Sequence, residues 1–184
     1  MNYVLIGLLA LACVACSIQP KPVAVHDFGL PVSSGSGVQS SAKPDIKVEA
    51  PEWLQDKRIR YRLLYDSPTQ LRFYTLDRWV AAPPELFEQQ LLAGGKWHDH
   101  RLIIRLLDFE QQFDAPGSAC AVLRFAVDVY APDNTVITQV MRLEQPTLTP
   151  VARGAVNSLA RLTGQAADRI QVFLSGLPGT PSSR

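Results

Sequence analysis

Hydrophobic and polar positions alternate with a period of two from Arg58 to Tyr65, placing Ile59, Tyr61, Leu63 and Tyr65 on one face and Arg58, Arg60, Arg62 and Leu64 on the other. That is the pattern of a half-buried strand. Asp66-Ser67-Pro68 breaks it with turn chemistry, and the aromatic and branched run Leu71 to Leu76 follows so closely that only an antiparallel return is possible. Pro83-Pro84 then opens a helix, since a proline at the first helical position forfeits no hydrogen bond, and Gly94-Gly95 supplies a left-handed stop.

The same reading extends in both directions. Val23 to Gly29 and Asp45 to Ala50 are expected strands, and Pro51 to Leu54 a single helical turn that docks Trp53. Between Leu30 and Pro44 the composition turns to Ser, Gly and Pro, with too little apolar surface to offset ordering entropy, which predicts a mobile loop inside the domain. From Arg101 the apolar set is Leu102, Ile104 and Leu106, then jumps to Leu107, Phe109 and Phe113. A β-bulge near Leu106-Leu107 accounts for the change of face. Ala119 to Tyr130 returns with Ala121, Leu123, Phe125, Val127 and Val129 inward, and Asp133-Asn134 turns the chain into Thr135 to Leu143, completing a three-stranded meander. Thr149 as N-cap and Pro150 at the first position start a long helix with apolar residues at helical spacing, ended by Gly176-Leu177-Pro178. Its small inner residues, with Gly154 and Gly164, predict close approach to the strands.

The expected fold is therefore α+β: an antiparallel or mixed sheet of six to seven strands with two main helices packed on one face. Trp53, Tyr61, Leu63, Phe125 and Leu159 are the expected core. The 184 residues make one domain, over 23–178, with a polar tail at 179–184. Eighteen Lys and Arg against seventeen Asp and Glu leave a formal charge of +1, so no global field recruits nucleic acid and electrostatic recognition must be local.

The combination Trp53-Leu54, then Ile59-x-Tyr61-Arg62-Leu63-x-Tyr65-Asp66-x-Pro68, then Leu71 to Tyr74, then Arg78-Trp79-x-x-x-Pro83-Pro84-x-Leu86 resembles the ABC-type transport auxiliary lipoproteins. These small lipoproteins accompany MCE-type (mammalian cell entry) lipid transporters and the paraquat-inducible system. His26-Asp27-Phe28-Gly29 resembles a run near the mature start of the same family. The resemblance implies an outer-membrane-anchored accessory of an ABC transport system that moves lipids or hydrophobic compounds across the periplasm. It implies as partners an MCE-domain protein with its permease and ATPase, and the membrane through a lipid anchor; a homo-oligomer is compatible with it.

Residues 1–15 fit such an anchor. They are almost wholly apolar and shorter than the roughly 20 residues that span a bilayer, so they read as an export signal, although without Lys or Arg at the start. Small residues lead into two cysteines, Cys13 and Cys16, as in bacterial lipoprotein signals whose cysteine thiol is acylated. Cys16 is the preferred lipidation site. Cys13 would leave only twelve residues of signal, and Cys16-Ser17 followed shortly by proline resembles mature starts of the family. Residues 16–22 are then the lipidated start and tether. Ser17 at the second mature position implies retention in the outer membrane, with the domain facing the periplasm. Cys120 is left as the only other cysteine of the mature chain, so the domain is expected to hold together without disulfides.

Catalytic signatures are missing from the sequence: no G-x-S-x-G, phosphate loop, H-E-x-x-H or C-x-x-C occurs. No enzyme activity and no cofactor are expected. His98 and His100 share one side of an extended segment but lack the further ligands that a zinc site needs. His26 reads as a hydrogen-bonded structural histidine, and Cys120 as packing. An alternative function is a periplasmic lipid carrier with an apolar cavity of its own. Candidate partner contacts are Arg58, Arg60 and Arg62, expected to project together from an uncovered sheet face, joined by Arg78 and Trp79.

Overall fold

The computed structural model describes residues 21–29, 44–94, 97, 101–131 and 135–177. The predicted signal, Cys16, the Ser/Gly-rich loop up to residue 43, His98 to His100, the Asp133-Asn134 turn and the tail all lie outside the described residues. The elements run β1 (Ala24–His26), β2 (Asp45–Glu49), a 3₁₀ turn (Glu52–Leu54), β3 (Arg58–Leu63), β4 (Leu71–Trp79), α1 (Pro83–Gly94), β5 (Arg101–Ala115), β6 (Ser118–Tyr130), β7 (Val136–Pro146) and α2 (Ala152–Ser175).

Among the described residues, seven strands form one mixed sheet in the order β1-β4-β3-β5-β6-β7, with β2 paired to β5 off that path. β3 and β4 are the antiparallel hairpin that their short turn requires, and β5, β6 and β7 the meander. The parallel pairings are β1 with β4 and both β2 and β3 with β5. β5 is fifteen residues long, so β2 occupies its first third, opposite Arg101 to Arg105, and β3 its last, opposite Gln111 to Phe113. The register of β5 against β6 shifts between Leu106 and Asp108. This is the expected bulge, and it carries Phe109 and Phe113 to the same face as Leu102, Ile104 and Leu106. Gly117, at φ +82°, makes the tight β5–β6 turn with Pro116, a conformation that costs glycine nothing.

Both helices pack on one face and close a single core that includes Phe87, Leu91, Leu102, Ile104, Phe125, Leu159 and Ile170. Ala121, Leu123, Phe125, Val127 and Val129 of β6 are all buried, as their alternation predicts. Phe87 of α1 meets Phe125 edge to face at 5.6 Å. Trp97, fully buried, donates its indole N–H to the Leu91 carbonyl at 2.7 Å, satisfying one of the carbonyls that a helix end leaves open. Glu88 accepts the Val48 N–H at 2.8 Å and so covers part of the β2 edge.

Four details correct the sequence reading. The 3₁₀ turn docks Leu54, which is fully buried, and leaves Trp53 48% exposed. Tyr61 and Leu63 are half-buried, and Tyr65, beyond the end of β3, is exposed. The second helix begins at Ala152 with Val151 as its N-cap, two residues past Thr149, and without a side-chain cap. Gly154 makes its close approach to Thr149 and not to a strand, while Gly164 faces open space.

Candidate functional site

The helices cover one face of the sheet; the other is the face on which partner contacts were expected. β3 alternates as predicted, but its arginines do not form a uniform stripe. Arg58 is exposed, pairs with Asp56 at 2.7 Å, and lies over the Phe73 ring with its guanidinium carbon 3.6 Å from the centroid. Arg60 is only 1% exposed. It donates to the Trp53 carbonyl and pairs with Asp56 at 3.1 Å, while its Nε and Nη1 have no partner. Burial pulls its pKa below the ordinary guanidinium value, with Asp56 acting against that shift and Arg58 adding to it. Arg62 forms a two-pronged pair with Glu110, at 3.0 and 3.2 Å, and donates to the Pro68 carbonyl at 3.1 Å.

Trp79 corrects the expectation further. It is 1% exposed and sits edge-on to Phe28 at 5.3 Å, inside the core. Arg60 and Trp79 therefore cannot be offered to a partner on this surface. Arg58, Arg62 and Arg78 keep access to solvent, and among the described residues Arg78 has no ion pair. Cys16 lies outside the described residues.

The bulge in β5 turns Glu110 onto the face of Arg62, and further pairs continue across the sheet. Glu110 accepts from Gln112 at 2.8 Å, Gln112 from Arg142 at 3.5 Å, and Arg142 pairs with Glu144. Arg124 pairs with Asp108 at 2.5 Å, and Arg105 with Asp128 at 2.9 and 3.1 Å, with the Thr138 hydroxyl donating to Asp128 at 2.7 Å. Cross-strand charges so matched neutralise one another, and each exposed pair adds little stability. The parallel β3–β5 register decides that Arg62 meets Glu110. No local signal in the sequence carries that pairing.

Asp128 is the most telling member. Burial alone would raise its pKa, but the Arg105 guanidinium and the Thr138 hydroxyl outweigh that and hold it below the usual carboxylate range. A carboxylate depressed in the folded state contributes stability that is present above its unfolded pKa, near 3.9, and fades as pH falls through the folded value. Asp128→Asn is expected to cost about 1–3 kcal/mol at pH 7. In denaturant titrations the gap to wild type should narrow below about pH 4; a gap that is constant or widens in acid would contradict the pairing.

On the helix side, His26 Nε2 lies 2.8 Å from Asp77 Oδ1, the structural bond expected of it. It borders a cleft of about 420 Å³ between β1 and α2, lined by Val25, His26, Asp27, Phe28, Gly29, Val80, Val156, Asn157 and Ala160. The Tyr74 hydroxyl donates to Gln111 at 2.5 Å, and Gln111 to Thr147 at 2.9 Å. Burial, with Tyr61 and Asp77 nearby, pushes the Tyr74 hydroxyl well above its ordinary pKa, so it serves as a neutral donor. The Cys120 thiol is also pushed up, by burial first and then by Asp114 and Glu144, which suits packing and not nucleophilic attack. Among the described residues no three metal-ligating side chains converge, and no helix is long and apolar enough to cross a membrane.

No family model and no curated protein matches this sequence. Solved structures do share its fold. The crystal structure of protein XCC0632 from Xanthomonas campestris, assigned to the family model DUF330, superposes with a TM-score of 0.60 at 15% identity, covering 72% of this chain and 86% of that one. A crystal structure of an uncharacterized protein superposes with a TM-score of 0.65 at 13% identity, over 84% of this chain and 99% of the other. At these identities the likeness is one of fold: an open, mixed α+β sheet covered by two helices.

Proposed function

We propose that this protein is an outer-membrane-anchored accessory lipoprotein of an ABC transport system of the MCE type, acting on lipids or other hydrophobic compounds in the periplasm. One observation carries the reading. The motif-bearing stretch from Trp53 to Leu86 forms strand, strand and helix at the centre of a domain that shares its fold with a DUF330 protein. Its chemistry suits binding and tethering. The ion-paired sheet face and the part-buried polar chain through Tyr74, Gln111 and Thr147 are structural, and no catalytic step is assigned to them. The cleft beside β1 does not favour a lipid carrier, because His26, Asp27 and Asn157 share its lining with the apolar residues and its volume is small for a two-chain lipid.

The anchoring half of the proposal is tested at Cys16. Wild-type protein should fractionate with the outer membrane and carry its acyl groups on Cys16 as the mature amino terminus. Cys16→Ala should accumulate unprocessed or leave the membrane fraction. Intact-mass data that locate the lipid on Cys13, or a mature chain without lipid, would refute this assignment.

A further inference from the structure

Where β1 meets β4, the surface differs from the ion-paired remainder of the sheet. Val23 and Val25 are 45% and 49% exposed, with Val25 also at the rim of the cleft beside α2. Val25 is the cross-strand partner of Arg78, so the two side chains stand on the same side of the sheet. Arg78 in turn faces Arg58, which covers Phe73. Lys21, Lys57 and Arg78 have no carboxylate partner among the described residues, whereas Asp56 is engaged by Arg58 and Arg60, and Asp77 by His26. The balance of the corner is thus weakly cationic, with Glu52 beside Trp53 and the exposed Asp27 just past β1 opposing the three free cations. Trp53 adds a half-exposed indole, and its carbonyl is held by Arg60, whose guanidinium also lies toward Phe73, at 5.7 Å.

We propose that this corner is the surface the domain lays against the bilayer, with its cations on anionic phospholipid headgroups and its valines and Trp53 in the interfacial layer. The proposal rests on the anchoring at Cys16, and the length of chain involved supports it. Ala24 opens β1 eight residues after Cys16. At a reach of about 3.5 Å per residue, the tether holds β1 within about 28 Å of the lipidated residue. The corner is where the tether enters the domain, so it is never farther from the lipidated residue than that reach allows. A basic residue close to an anionic surface favours contact by roughly fivefold, so the three unpaired cations outweigh the opposing Glu52 and Asp27 by about one such factor. Tryptophan with exposed aliphatic neighbours is the composition that membrane interfaces select.

The test uses the full mature lipoprotein, reconstituted in vesicles of phosphatidylethanolamine with a quarter phosphatidylglycerol, some lipids carrying brominated acyl chains. Flotation reads the anchoring, and bromine quenching of tryptophan emission reads contact. Trp79 and Trp97 are 1% and 0% exposed, so quenching reports on Trp53, with Trp53→Phe as the control. The expected result is a floating protein whose Trp53 emission is strongly quenched. A Lys57→Glu, Arg78→Glu variant should still float and melt as wild type does, yet lose most of the quenching. Flotation without quenching, or quenching indifferent to the charge reversals, overturns the proposal and leaves the anchoring intact. Failure to float removes the anchoring reading and this one with it. Protection of Trp53 that arises only when a second copy or an MCE-domain protein is added would assign the corner to protein contact, and would also overturn the proposal.

Discussion

Phe125→Ala is expected to destabilise the domain by about 3–5 kcal/mol, the usual cost of emptying a fully buried aromatic site. Phe125 is 0% exposed and belongs to β6, the strand that β5 and β7 flank, and it meets Phe87 of α1 edge to face at 5.6 Å. Its removal forfeits the transfer energy of a ring, the aromatic pairing and the anchorage of α1, and leaves a cavity among rigid strands that cannot collapse into it. Domains of this size have only about 5–15 kcal/mol in all. The variant should therefore unfold at a much lower urea midpoint with an unchanged m-value. A midpoint within error of wild type would show that Phe125 is not packed as described.

The second large effect sets two glycines of α2 against each other. A methyl group at Gly154 would fall onto the Thr149 carbonyl oxygen, inside van der Waals contact, and lie 2.9 Å from the Thr149 Oγ1. At Gly164 it would meet nothing within 4 Å. Helix propensity favours alanine over glycine by about 0.8–1 kcal/mol at both positions. At Gly164 that gain stands alone, so Gly164→Ala should raise the melting temperature. At Gly154 the first turn and the preceding segment must separate, and the net loss should be about 1–3 kcal/mol. If Gly154→Ala is as stable as wild type, Thr149 is not folded against the first turn of α2.

These two glycines also show how far the sequence could be read. Helical spacing from Ala152 to Leu174 announced α2, and both glycines looked alike as points of close approach. Only the path of residues 147–151, which puts Thr149 against the first turn and Val151 at the cap, separates them. The meander was legible because its evidence is local: the period-two alternation of β6 and the jump in the apolar set of β5 need no knowledge of distant partners. The same holds for the β3–β4 hairpin, fixed by a short turn. Whatever depends on non-local register was hidden. Period two places Arg60 on the uncovered face, but that face is roofed at this point by the chain around Trp53 and Asp56, which buries the guanidinium. Arg78 and Trp79 are adjacent in sequence and so point to opposite sides of β4. One faces solvent and the other enters the core against Phe28 and Phe109. In the 3₁₀ turn, the larger residue of Trp53-Leu54 looked like the one to dock, and the geometry of the turn directs Leu54 inward instead. Two of the five expected contact residues, Arg60 and Trp79, were thus lost to tertiary burial, which composition does not encode.

Co-purification from native membranes tests the proposed transport role most directly. The tagged lipoprotein, extracted in mild detergent from its own host at physiological salt, should bring down an MCE-domain protein, identified by mass spectrometry, with the permease and ATPase of that system at lower yield. A control bait with the same lipid anchor but an unrelated domain should not. If the MCE-domain protein is missing from the wild-type eluate while the bait is intact and membrane-bound, the transport assignment is wrong, and the fold serves another purpose at the membrane.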